Sequence, residues 1–532
     1  MISAIADNII SPLGMTTAAN LEAVRSGKTA LRNHDNVHGV KLQEPVVGSF
    51  FEELPCMDGY TSFETLLIKS VAAALSETHI NAESDTCVFI ISTTKGNIWS
   101  SPADSAKKVA NYFGNKVSPI VVSTACTSGV SAQLAAWRML TSGRYETAIV
   151  VGCDVQSEFI VSGFQSFKAL SNELCRPFDV QRKGLNAGEA VATLILSNTR
   201  NGKWHLMGGS IHNDANHISG PSRTAEGSLR CLKDMLKLVD KTDLAMISVH
   251  GTGTLYNDEM ESIAIHRAEM DEIPVSALKG YYGHTMGAAG LLETILTMHA
   301  LDEGVILPSK GYETQGTTYR VNLSQDERES RGNSFIKLLS GFGGVNAAVA
   351  WTKAEVKEKN LTPDEYNKWK EKAAVTLTSS DNIKELYKAE IGNYPKFYKM
   401  DMLARLGFVG TELLLKRAGV EPEHEGTAIV MANYSASMKN DKDYEATIED
   451  KNNYFPSPAL FVYTLPNIVT GEVAIRHQVY GETAFYVLHS EDEMQQLIDV
   501  TGMKPSIKTI IAGWVECVST DDYYAKLSLL KR

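Results

Sequence analysis

Apolar residues run without interruption in several short stretches of the first 352 positions. TCVFIIST (86–93), ETAIVVGC (146–153), AVATLILS (190–197), LAMISVHG (244–251) and AAVAWT (347–352) are the clearest. Runs of this length with no polar face predict strands buried on both sides of a helix-covered sheet. Between them, SFETLLIKSVAAALSE (62–77) and SAQLAAWRMLTSG (131–143) carry a helical spacing of apolar positions. Strands alternating with helices define an α/β class.

At residue 353 the pattern changes. KAEVKEKNLTPDEYNKWKEK mixes both charge signs densely and reads as a solvated linker over 353–375. The α/β rhythm then resumes. MLARLGFVGTELLLKRAGV (402–420) is an amphipathic helix closed by glycine, and TAIVMANYS (427–435) is a strand.

This later part repeats the earlier one in outline. SFETLLIKSVAAALSETHINAESDTCVFIISTTKG aligns with MDMLARLGFVGTELLLKRAGVEPEHEGTAIVMANYSAS. VSPIVVSTACTSGVSAQLAA aligns with PSPALFVYTLPNIVTGEVAI, and YETAIVVGCD with IKTIIAGWVE. The second copy then holds an insertion near HQVYGETAFYVLHSEDEMQQ, and only the first half of the pattern recurs by Arg532.

With 532 residues, 43% hydrophobic and 21% charged, the chain has ordinary globular usage and room for about two to four domains. Its net charge of −12, with no basic tract interleaved with aromatics, argues against nucleic acid. The seven cysteines (Cys56, Cys87, Cys126, Cys153, Cys175, Cys231 and Cys517) contain no C-x-x-C pair, which suggests neither a disulfide framework nor a zinc site. MISAIADNIISPLG lacks the basic start of a signal peptide, and no apolar run approaches the roughly 18 residues that span a bilayer. A reduced, cytoplasmic, soluble protein with no membrane span is expected.

One cysteine stands in an unusual setting. SPIVVSTACTSGVSAQLAAWRML fits a strand, a sharp turn of small residues and a helix, with Cys126 at the turn. A thiol at a helix N-terminus is expected to have a lowered pKa, because free N–H groups and the helix dipole favour the thiolate. A small buried packing cysteine is the alternative. LAMISVHGTGTLYNDEMES puts His250 at a strand end, and VSALKGYYGHTMGAAGLLE puts His284 in a glycine-rich turn opening a helix. SGFGGVNAAVAW is a glycine-rich turn before a strand, able to aim backbone N–H groups at an oxyanion.

TACTSG, HGTGTLYNDEMES, KGYYGHTMGAAG and GFGGVN together resemble the signatures of the β-ketoacyl-acyl carrier protein synthases, elongating condensing enzymes of the thiolase-like superfamily. NIISPLG, STTKG, CRPFD and NAGEA fall in the matching order, so the resemblance covers residues 1–352. It implies a layered αβαβα fold of two pseudo-duplicated halves. It implies further that Cys126 takes the acyl group from a carrier protein, with the oxyanion held by the backbone N–H groups of Cys126 and Phe342. His250 and His284, as neutral imidazoles, stabilise the enolate formed when a malonyl carrier protein loses carbon dioxide. Lys279 and Glu293, at the family's spacing from His284, form a supporting buried ion pair; Asp258 and Glu261 are structural. No metal or organic cofactor is required.

The tail, 376–532, resembles more loosely an incomplete thiolase-like half akin to the inactive chain-length factors of polyketide and aryl-polyene pathways. Pro466 or Asn467 occupies its cysteine position, depending on how the gap in that alignment is drawn. The expected arrangement is an internal pseudo-dimer, with further dimerisation open, and acyl carrier protein as the partner in fatty acid, polyketide or aryl-polyene-type synthesis. Lys107 with Lys108, Arg182 with Lys183, and Arg223 are the candidate docking cations. Two alternatives stand beside this reading: a thiolase-like or initiating acyltransferase using coenzyme A, and a non-catalytic scaffold.

Overall fold

The computed structural model describes residues 1–355 and 369–532. The expected linker therefore falls largely outside the described residues, and its last positions belong to a strand that begins at Lys370.

Among the described residues, fifteen strands form one mixed sheet. Numbered along the chain, the first five are β1 (Ser3–Ile10), β2 (Cys87–Ser92), β3 (Ile120–Val122), β4 (Thr147–Asp154) and β5 (Ala190–Ser197). The next five are β6 (His205–Asn213), β7 (Leu244–Ser248), β8 (Val275–Ser276), β9 (Ser334–Gly341) and β10 (Val345–Thr352). The last five are β11 (Lys370–Thr378), β12 (Thr427–Asn433), β13 (Thr483–Val487), β14 (Thr509–Cys517) and β15 (Tyr523–Lys531). The order across the sheet is β8-β7-β9-β10-β6-β1-β5-β4-β2-β3-β13-β12-β14-β15-β11.

That order contains one unit three times. In each, the first strand lies beside the fifth, followed by the fourth, the second and the third. In each, the second strand pairs parallel to the third and fourth, and the fifth antiparallel to the fourth and first. The expected second copy is thus the third occurrence of a unit that already appears twice before residue 352.

The helices repeat as well. Unit one carries α1 (Ser62–Ser76), α2 (Pro102–Tyr112) and α3 (Ser128–Thr141). Unit two carries α4 (Glu226–Met235), α5 (Leu255–Arg267) and α6 (Ala289–Asp302). In unit three the corresponding places are taken by α7 (Met402–Ala418), α8 (Ile468–His477) and α9 (Met494–Thr501).

Layering follows from which faces are apolar. α3 and α6 are buried on nearly every side, and each packs against strands of both unit one and unit two. They form the middle layer, because a helix apolar all round must be enclosed. α1 covers the outer face of unit one, and α4 that of unit two. Units one and two of the sheet meet through a single ladder pair, Ser3 with His205, so the strands fold over the central helices. α3 and α6 cross at Gly129 and Gly290. A Cβ on Gly129 would stand 2.9 Å from the Gly287 carbonyl oxygen and 3.1 Å from Gly290 Cα. A side chain there would push the central layer apart.

Unit three joins unit one through β3 and β13, paired antiparallel with Val122 opposite Tyr486 and Val121 opposite Val487. This corrects the alignment of the tail. TAFYV, expected inside an insertion, is β13 itself, and the residues after it open α9. PALFV, aligned with β3, is a short helix: Ser457 caps it by accepting the Leu460 N–H, and Pro458 takes the first turn. Measured from the end of each third strand the counterpart of Cys126 is Glu491, and measured by the middle place in the short turn that follows it is Asp492, not Pro466 or Asn467. None of these side chains is a thiol.

Candidate active site

Cys126 lies four residues beyond β3, on a turn made by left-handed Ala125 (φ 52°). That conformation costs about 1–2 kcal/mol for a residue with a Cβ. Small hydroxyls lock it: Ser128 Oγ donates to the Ala125 carbonyl at 2.6 Å, and the Thr124 N–H donates to Ser128 Oγ at 2.9 Å. Unit two repeats the device. Met286 is left-handed (φ 55°) and leads into α6, with His284 two residues before it. His250 lies two residues past β7.

The three residues converge. The Cys126 sulfur and one nitrogen from each histidine lie within 4.8 Å of one another, and the two imidazole rings stand 5.1 Å apart at 82°. Ala125, Cys126, Met286, Phe342, Ile160, Phe164 and Thr94 line the adjoining apolar cavity, with Lys95 at its wall. Phe461, Thr464 and Leu465 of unit three complete it.

Backbone contacts hold the histidines. Glu261 on α5 accepts the His250 N–H at 2.7 Å and the Gly251 N–H at 2.7 Å. Lys279 Nζ donates to the His250 carbonyl at 2.6 Å and to Glu293 at 2.8 Å. Asp258 accepts the N–H groups of Phe178, Thr252 and Gly253, fixing the glycine-threonine loop. The Met286 N–H donates to His284 Nδ1 at 3.2 Å. A neutral imidazole accepting there carries its proton on Nε2, a buried atom with no protein partner. These three side chains have the donor types of a metal site, but a protonated Nε2 is a hydrogen-bond donor and not a ligand.

Electrostatics keep both rings uncharged. Burial, then Lys279 and Lys337, push His284 well below the usual histidine range. His250 is pushed down by burial, Lys279, the other imidazole and Lys337. For Cys126 the expectation of a lowered pKa fails. Burial pushes its thiol up to about 12, and the pull of Lys279 does not offset it. Glu293 behaves oppositely: burial raises it, yet Lys279 and Lys337 together hold it below the usual carboxylate range.

Three buried charged residues were missed in the sequence. Asp154, at the end of β4, accepts from Thr93 Oγ1, the Thr94 and Lys95 N–H groups and the Gly287 N–H, tying the two turns together. Lys95 donates to Asp441 at 2.6 Å and to the Thr464 carbonyl, both in unit three. Lys337 lies fully enclosed in β9. Each is a lone charge in or beside an apolar run, and that was the signal available. Of the docking cations, Arg182 is ruled out. It is buried and donates to the carbonyls of Asp179, Gly316 and Leu255. Lys183 is paired with Glu173, and Lys108 with Glu64.

Residues 69–201 match the model of the beta-ketoacyl synthase N-terminal domain, and residues 205–313 that of its C-terminal domain. The two matched segments lie in that order along the chain and together cover less than half of it. Among curated proteins, it is 30% identical over 268 residues to the tetracenomycin polyketide synthase ketoacyl synthase alpha subunit of Streptomyces glaucescens (47% of this chain, 63% of that one). Nodulation protein E of Rhizobium leguminosarum bv. trifolii is 29% identical over 264 residues (47% and 65%). The 3-oxoacyl-[acyl-carrier-protein] synthase 2 of Mycobacterium leprae is 29% identical over 274 residues (47% and 64%). The chain thus spans less than two thirds of these relatives' length.

Among solved structures, the PfaC keto synthase-chain length factor matches 100% of this chain and 78% of its own, with a TM-score of 0.83 at 13% identity. The ketosynthase ApeO in complex with its chain length factor ApeC, from Xenorhabdus doucetiae, matches 66% of this chain and 98% of its own, with a TM-score of 0.57 at 23% identity. At these identities the likeness is one of fold. Among the described residues, no helix is long and apolar enough to cross a membrane.

Proposed function

We propose that the chain catalyses the decarboxylative Claisen condensation of an acyl thioester with malonyl-acyl carrier protein. The observation that carries this reading is the Met286 N–H donating to His284 Nδ1, which leaves Nε2–H as the donor beside a thiol and a second imidazole. Because desolvation raises the Cys126 thiol, attack on the incoming thioester needs a base. His250, whose Nδ1 has no partner, can take that proton. The tetrahedral oxyanion is held by the backbone N–H groups of Cys126 and Phe342; as it collapses the carrier sulfur leaves and takes the proton from His250, which returns to its neutral form.

Malonyl carrier protein then enters. Its C–C bond to the carboxylate breaks, carbon dioxide departs, and the electron pair moves onto the thioester oxygen as an enolate. His284 Nε2–H and a His250 N–H donate to that oxygen, which gains charge only as the bond breaks. The enolate carbon attacks the Cys126 thioester and releases the thiolate with a 3-oxoacyl product two carbons longer.

Unit three acts in this reading as a silent partner akin to a chain-length factor, pairing with unit one inside the chain. Several contacts support it. Phe461, Thr464 and Leu465 line the cavity, and Asn467 Nδ2 donates to the Phe342 carbonyl at 2.7 Å. Buried Arg138 on α3 grips Glu482 with two hydrogen bonds of 2.6 Å. Tethering keeps such a partner at high effective concentration. The proposed division is 1–352 catalytic, 353–375 linker and 376–532 silent half.

The test is incubation with acyl and malonyl carrier proteins, with products weighed by mass spectrometry. A 3-oxoacyl carrier protein supports the reading. Acyl transfer only between coenzyme A thioesters would replace it with the initiating-enzyme alternative, and no acyl-enzyme would leave the scaffold.

A further inference from the structure

Glu293 on α6 takes a lysine on each carboxylate oxygen. Lys279 Nζ donates to Oε1 at 2.8 Å and Lys337 Nζ to Oε2 at 2.5 Å. The same two ammonium groups reach three successive carbonyls where β7 runs into the His250 loop. Lys337 donates to Ser248 O at 3.2 Å and Val249 O at 3.0 Å, and Lys279 to His250 O at 2.6 Å. We propose that Lys337 is a positioning residue for the condensation, one of two lysines that clamp Glu293 and the His250 end of β7. This rests on the condensing reading given above.

Two physical points carry it. An apolar side chain would fill this fully enclosed place with less desolvation than an ammonium. What the lysine supplies, and an apolar side chain cannot, is three N–H donors shared among Glu293, two carbonyls and the Ser248 hydroxyl. Second, both ammonium groups lie close enough to push each imidazole down, which favours the neutral, working form. The charged and titratable groups facing Lys337 are Glu293 on α6, Lys279 of the short helix Lys279–Tyr282, Glu261 on α5, and His250 and His284 themselves. Burial lowers Lys337 to about 8, against the pull of Glu293, so it stays charged at neutral pH.

Lys337→Met in the full chain is the test, with three readouts: acylation of Cys126, pH–rate profiles of malonyl decarboxylation, and NMR titration of labelled histidines. Decarboxylation kcat should fall about 100-fold with KM unchanged, as misplacement by a fraction of an ångström can do, and acylation, which uses only His250 of the two imidazoles, should fall by less. Loss of the positive charge raises both imidazole pKa values, so the acid limb and the NMR titrations should move to higher pH. Lys337→Arg, which keeps the charge, should leave the titrations where wild type has them. An unmoved limb, or equal losses of acylation and decarboxylation, would overturn the proposal. If Lys337→Met does not fold, Lys337→Gln is read the same way; if neither folds, the lysine is merely structural and the proposal falls. The NMR titration needs no substrate. A wild type that never decarboxylates malonyl groups, yet whose imidazoles shift in the variant, removes the condensing reading and keeps the clamp.

Discussion

Units one and three share a strand order and meet edge to edge, yet differ where the third strand ends. In unit one the chain enters a left-handed alanine, a cysteine and a fourteen-residue helix of small and apolar side chains. In unit three it passes through Ser490 in extended backbone (φ −148°) to Glu491, Asp492 and Glu493, and the helix that follows has eight residues. The strained turn and the thiol vanish together. Strain of this kind persists where the surroundings enforce it, typically at functional sites; without a nucleophile to present, unit three has a relaxed turn. Its carboxylates at a helix N-terminus are the ordinary dipole-compatible choice. What unit three keeps is the edge strand and the surface facing the cavity.

The sharpest way to break that contrast is Cys126→Ala. No acyl-enzyme should form and condensation should stop, as read by mass spectrometry of the protein and product. Next in size is Arg138→Met, which strands buried Glu482 at the junction of the units. Loss of about 3–5 kcal/mol is expected in denaturant unfolding, because an unpaired buried charge remains. His284→Ala removes one enolate donor, so decarboxylation should fall about 10²–10³-fold while Cys126 still acylates, checked by single-turnover kinetics. Asn467→Ala frees the Phe342 carbonyl and should slow acylation about tenfold or less, on the scale of one lost hydrogen bond. Asp492→Asn, at the relaxed turn, should leave every rate unchanged within error.

The pH dependence separates the regions too. The folded-state pKa values of His250 and His284 are depressed, so the native site resists protons that the unfolded chain accepts below about 6.5. Stability should therefore decline as pH falls through that value, and the two histidines should give condensation no acid limb above pH 6.5. His250→Gln should remove part of the decline in a pH series of melting temperatures.

Much of this was legible in the chain because the physics was local. Continuous apolar runs gave β2, β4, β5, β7 and β10, and clusters of small residues marked the Cys126 and His284 turns. The tail misled for equally local reasons. SPALFV looks like a strand until the Ser-Pro helix start is weighed, and TAFYV is followed by charges in place of a small-residue turn, so its match to β3 was hidden. Other properties arise only from packing. The helix start at Cys126 suggested a thiolate, whereas enclosure by distant segments pushes the thiol up to about 12. Lys337 stood in SFIKLLSG as a single charge, and its partners lie 44 and 88–89 positions away.

One measurement goes to the centre of the account: peptide mapping by mass spectrometry after brief exposure of the intact chain to an acyl carrier protein. The acyl mass should sit on the peptide holding Cys126, disappear when malonyl carrier protein is added, and never occur between residues 369 and 532. An adduct in that later region, or one on Cys126 that malonyl carrier protein fails to discharge, would contradict it.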